Sequence, residues 1–153
     1  MTKTVPIIFA SGSDPVSDGF VLSLSRPGGN VTGVTFLAGE LGTKRLELLR
    51  ELASNAIIAV LANLDSPDAV AEKREVQAAA EAIKQQLILV DASNDQEIEA
   101  AFATFAQRGA GALFVGSGAF LNSHRERIVA LASHQRLPAT GAYRSAVDPA
   151  PGR

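Results

Sequence analysis

The chain reads as an α/β protein with an open, mostly parallel sheet and helices on both faces, a three-layer α/β/α design. Three observations predict it. Short apolar runs, too brief for helices, recur at intervals of roughly 25–30 residues, close to the span of one βαβ unit. Segments with helical apolar periodicity fill the intervals, the alternation that builds parallel sheets. Helix start signals stand where those segments open.

The expected strands are Val5–Ala10, Val31–Phe36, Ile57–Ala62, Leu87–Val90, Ala112–Val115 and a weaker one at Pro138–Thr140. The first helix is expected from Pro15, with Asp14 as its cap and Phe20, Val21 and Leu24 on its apolar side. Pro27-Gly28-Gly29-Asn30 is a turn cluster that stops it. Leu41, Leu46, Leu48, Leu49 and Leu52 form the apolar stripe of the second helix. Ser66-Pro67 opens the third, whose stripe is Val70, Val76, Ala79, Ala80 and Ile83. Ser93 and Gln96 fit a capping box ahead of Ile98, Ala101, Phe102 and Phe105, and Ser123 with Glu126 fits another before the last helix. Gly109-x-Gly111 reads as a helix stop and turn. Residues 143–153, with their prolines and small residues, read as a disordered tail.

A chain of 153 residues is long enough to bury one core. With 46% hydrophobic residues, 20% charged and a net charge of −2, it carries neither the polarity of a disordered chain nor the basic surplus of a nucleic-acid binder. The absence of cysteine removes disulfides, thiol nucleophiles and thiolate metal sites. No basic segment followed by an apolar run and a cleavage site opens the chain, so as written it is expected in the cytoplasm. No apolar run approaches the ~20 residues of a membrane span.

Two stretches carry a family resemblance: Val5 to Val16 (VPIIFASGSDPV) and Arg26 to Phe36 (RPGGNVTGVTF). They resemble the tryptophan-transport-type branch of ABC-transporter substrate-binding proteins, whose two α/β lobes close on a small ligand. The resemblance runs from about Val5 to Tyr143 and covers the middle of a family member. It implies a type I periplasmic-binding-protein-like fold: residues 1–26 as a remnant of lobe one, 27–38 as an interlobe crossover, and 39–142 as most of lobe two. Without most of lobe one and the glycine-rich return after Tyr143, the chain is expected to bind weakly and to self-associate as a homodimer.

In open α/β sheets ligands bind beyond the carboxyl ends of the strands, so the loops after the strands hold the candidate residues. Ser11, Ser13 and Asp14 lie where an expected helix N-terminus would favour an anion, although Asp14 reads first as a helix cap. Asn63 opens a loop that is Asn-Pro-Asn-rich in the family, with Leu64 here in place of proline; its amide suits either an Asx-turn or a ligand. Ser117-Gly-Ala-Phe-Leu121 replaces the Ala-Asp-Pro-Phe-Phe of relatives, leaving Ser117 as a polar contact and Phe120 as either a stacking face or a packing residue. Tyr143 marks the last loop, and Arg144 beside it reads as solvated.

Catalytic constellations are poor. Gly116-x-Gly118 has Leu121 in place of the third glycine of a dinucleotide fingerprint. His124 and His134 lack a carboxylate at ligand spacing and read as surface histidines. The serines lack a nucleophile elbow. The function the resemblance implies is capture of an amino acid or other small organic acid for an ABC permease, with no enzyme activity, no cofactor and no metal. The alternatives are a cytoplasmic small-molecule sensor and a degenerate fragment that only self-associates.

Overall fold

The computed structural model describes residues 5–11, 15–16, 19–26, 28–35, 38–65 and 67–141. In chain order the elements are β1 (Ile7–Ser11), β2 (Val31–Thr35), α1 (Ala38–Leu52), β3 (Ile57–Ala62), α2 (Pro67–Ala82) and β4 (Leu87–Asp91). They continue with α3 (Asp95–Gln107), β5 (Ala110–Val115), α4 (Ala119–Ser123), α5 (Arg125–His134) and β6 (Ala139–Thr140). Among the described residues every strand pairing is parallel. β1 and β2 form a two-stranded sheet, and the other four form a second sheet in the order β4-β3-β5-β6.

Side chains alternate across a strand, and this alone divides the core of the larger sheet into two halves. Ile58 and Val60 of β3, with Ala112 and Phe114 of β5, pack with Leu46 and Leu49 of α1 and Val76 and Ala80 of α2. Ala59, Leu61 and Leu113 face the other way and pack with Ile98, Ala101, Phe102 and Phe105 of α3 and Ile128 and Ala132 of α5. Continuous apolar strands are therefore required, because both faces are covered. Phe102 and Phe105 meet edge to face, with ring centroids 5.6 Å apart.

In the smaller sheet, β1 and β2 run in register from Ile7 opposite Val31 to Ser11 opposite Thr35. A Cβ on Gly33 would lie 2.2 Å from the Phe9 carbonyl oxygen, so only glycine lets the strands approach here. Val21 and Val31 are buried, and the Phe9 and Phe20 rings lie 6.1 Å apart.

Several local expectations need correction. The described residues after Pro15 form a turn rather than a helix: the Pro15 carbonyl accepts from Phe20 and Val21 N–H, and that of Val16 from Gly19 N–H. Gly19, at φ +72°, takes the chain out of the right-handed region and ends any helical start. The cap of α3 is Asn94, one residue beyond Ser93. Its side chain accepts from Glu97 N–H at 2.9 Å, while the Glu97 carboxylate reaches back to Ser93 N–H at 2.7 Å. Ser123 caps nothing. Its hydroxyl donates to the Phe120 carbonyl within α4, and α5 begins after His124 without a side-chain cap. On α1 only Leu46 and Leu49 of the leucine stripe are buried, whereas Leu41, Leu48 and Leu52 are exposed. Gly109, at φ +70°, does stop α3, but Gly111 belongs to β5, where a Cβ would crowd that of Ala56. The cap position Ser66 and residues 142–153, which include the expected tail 143–153, lie outside the described residues.

Candidate functional site at the ends of β3 and β5

The strand order places a topological switch between β3 and β5. The chain leaves β3 for β4 on one side, then crosses over to β5 on the other. Consecutive connections diverge there, opening a crevice beyond the carboxyl ends of the two strands, the usual place for a ligand in an open α/β sheet. Asn63 follows β3 and Gly116-Ser117 follows β5. With Glu72 and Lys73 of α2 they line a small cavity, floored by Val60, Ala62, Ala69, Val76 and Phe114. Its volume is about 10 Å³, room for roughly one water. It is too small to enclose a solute.

Asn63 is 5% exposed and works first as a tie between loops. Its Nδ2 donates to the Ala92 carbonyl beyond β4 at 2.9 Å and to Asp65 Oδ2 at 3.0 Å. Beside it, Gly116 N–H donates to the Leu61 carbonyl at 2.8 Å. A Cβ on Gly116 would lie 3.2 Å from that carbonyl oxygen and 3.4 Å from Glu72 Oε2, so a small residue is needed for the turn to lie this close.

Glu72, only 4% exposed, organises the cavity. Its Oε2 accepts from Ser117 N–H at 2.6 Å and from the Ser117 hydroxyl at 2.8 Å, and its Oε1 accepts from Arg45 Nη1 at 2.9 Å. Arg45 Nη2 also donates to the carbonyls of Val115 and Thr140, and its guanidinium lies 4.0 Å from the Phe114 ring centroid. One network thus joins α1, α2, the end of β5 and β6. Burial pulls the Arg45 guanidinium below the ordinary arginine range, and the charge and hydrogen bond of Glu72 oppose that pull. At the outer edge Lys73 pairs with Asp91 at 3.2 Å.

Of the residues expected from the sequence, the structure brings Asn63 and Ser117 to one cavity. Ser11 ends β1 opposite Thr35. Ser13, Asp14 and Tyr143 lie outside the described residues, and the helix that was to supply an anion site at Pro15 is replaced by a turn. Phe120 packs against the α3/α5 half of the core, with its ring centroid 4.3 Å from that of His124, and does not line the cavity. His124 is no free surface histidine: its Nε2 pairs with Asp95 at 2.9 Å. Arg45 and Glu72 went unnoticed in the sequence because nothing local distinguishes them from the charged face of an ordinary helix. Among the described residues no cluster of His, Asp and Glu suits a metal ion, and no helix is long and apolar enough to cross a membrane.

A parallel α/β sheet with polar residues at its switch point is a common setting for small-molecule sites. The family model described as ABC transporter substrate binding protein matches residues 1–149, and the chain belongs to that family, one of substrate-binding proteins rather than of enzymes. A conserved domain protein from Vibrio cholerae O1 biovar El Tor is similar in structure, with TM-score 0.78 and 27% identity over 96% of this chain and 49% of that one. The ABC domain from Streptococcus pneumonia in complex with L-Trp shares the fold, with TM-score 0.76 and 24% identity over 96% of this chain and 50% of that one. A tyrosine-binding protein of Clostridioides difficile is 45% identical over 56 residues, 36% of this chain and 15% of its own length. The chain spans about half the length of these solved structures.

Proposed function

We propose that this chain takes part in capturing a small solute, an amino acid or other small organic acid, for an ABC permease. The observation that carries the proposal is the pairing of Asn63 and Ser117 at the β3/β5 switch point, in a chain of the substrate-binding family. Relatives solved with L-Trp or named for tyrosine point to an aromatic amino acid as the first solute to try. In this reading residues 39–142 are lobe two, residues 27–38 the crossover and residues 1–26 the lobe-one side. Asn63 and Ser117 form the lobe-two rim, and Ser11, at the end of β1, is a further proposed contact. Ser13, Asp14 and Tyr143 complete the proposed contacts. Phe120 serves as packing, since it belongs to the opposite half of the core.

A thermal-shift screen of L-tryptophan, L-tyrosine, the other amino acids and small carboxylates tests this. A solute at 100 times its Kd adds roughly 2.7 kcal/mol, which for a domain of this size is a rise of about 5–10 °C. The expected result is a rise confined to one or two related solutes. No rise with any of them at millimolar concentration overturns the proposal.

A further inference from the structure

At the rim the side-chain donors of Asn63 and Ser117 are already committed. Both protons of the Asn63 amide go to the protein, one to Ala92 and one to Asp65. What this amide has left to offer is Oδ1, an acceptor. A serine hydroxyl has one proton and two lone pairs, and that of Ser117 donates to Glu72 Oε2 at 2.8 Å. The same carboxylate oxygen takes the Ser117 N–H at 2.6 Å. Glu72 does not swing to suit a solute, because its other oxygen is held by Arg45 and the residue is 4% exposed.

From this geometry we propose that Glu72, anchored by Arg45, is a positioning residue that fixes the Gly116–Gly118 turn and leaves the Ser117 oxygen able only to accept, so that this rim selects the ammonium end of a solute. The inference rests on the reading that the ends of β3 and β5 face the solute. Rim charge agrees with it. Arg45 balances Glu72 and Lys73 balances Asp91, while Asp65, held through Asn63, adds a further carboxylate beside the cavity. An anionic group brought here would meet the Asn63 and Ser117 acceptors and the Asp65 carboxylate, with the Lys73 ammonium turned to Asp91; an ammonium brings the donors that Asn63 and Ser117 lack. The carboxylate of an amino acid would then be held away from this rim.

The test is a ¹⁵N-¹H NMR titration of the chain with three probes: tryptamine, which has the ammonium alone, 3-indolepropionate, which has the carboxylate alone, and L-tryptophan, which has both. The amides of Asn63, Gly116 and Ser117 are expected to shift with tryptamine and L-tryptophan at concentrations at least ~10-fold below those needed for 3-indolepropionate, the effect of one charged hydrogen bond. Glu72→Gln should reduce that preference by about the same factor. Ser117→Ala, which keeps the Arg45–Glu72 pair and hence the fold, should do likewise with little change in melting temperature. Equal response to tryptamine and 3-indolepropionate, or an unchanged preference in both variants, overturns the inference while leaving solute capture standing. Silence with all three probes would sink capture of these solutes together with the ammonium preference. The positioning role is then decided by hydrogen exchange: Glu72→Gln should speed exchange at the Ser117 amide at least ~10-fold while Val60 in β3 stays protected, and equal exchange in both proteins refutes it.

Discussion

Arg45 and Glu72 stand 27 residues apart in the chain and 2.9 Å apart in space. Removing one partner of a buried pair leaves an uncompensated charge, so Arg45→Met, which keeps an apolar stem over Phe114, is expected to cost about 3–5 kcal/mol in urea unfolding. Lys73→Ala breaks a more exposed pair with Asp91 and should cost less than ~1 kcal/mol, because water screens it. Equal losses in the two variants would show that the Arg45–Glu72 pair is no more desolvated than the outer one. At this scale the sequence was partly legible. Asn63 and Ser117 stand out because they follow apolar runs, and the structure places them together. Glu72 does not, since its partners Arg45 and Ser117 lie 27 and 45 residues away and no local pattern encodes such a meeting.

Element existence was more legible than element register. The apolar spacing of α3 selects Ile98, Ala101, Phe102 and Phe105, and all four are buried. In α1 leucines occur on several faces, so periodicity alone does not separate Leu46 and Leu49, which pack, from Leu41, Leu48 and Leu52, which do not. Ser93 and Asn94 are both competent caps, and the choice of Asn94 follows from where Glu97 can reach back. Asn94→Ala should therefore cost about 1 kcal/mol in chemical denaturation, and Ser123→Ala close to nothing, because the Ser123 contacts, to the Phe120 carbonyl and to His124 Nδ1, are exposed and cap no helix. A loss at Ser123 matching that at Asn94 would contradict this assignment. For the β1–β2 pair the test is Gly33→Ala. Its Cβ would collide with the Phe9 carbonyl, so exchange at Ile7, bonded to the Asn30 carbonyl at 2.8 Å, should accelerate while the four-stranded sheet keeps its protection. Unchanged protection at Ile7 would show that the strands can separate enough to admit a methyl group.

At the scale of the whole molecule, the two-stranded sheet and the segment between its strands leave much apolar surface uncovered. Ile8 is 82% exposed and Leu22 80%, and Val34 is exposed beside them. Apolar surface of this kind is normally buried against another element or another chain. We expect a second copy to cover it, giving a homodimer by light scattering at micromolar concentration, with Ile8→Lys shifting the equilibrium towards monomer. A monodisperse monomer of the unmodified chain would exclude this. The sequence by itself determined the α/β class, six strand positions to within one or two residues and the family, because apolar period, turn residues and the stretches Val5–Val16 and Arg26–Phe36 are local properties. Only the tertiary structure decided that β3 and β5 flank the switch point, that the chain turns after Pro15, and that Glu72 rather than a loop residue organises the rim. The physical reason is that strand order and buried ion pairs are settled by which surfaces cover one another, and that depends on residues far apart in the chain.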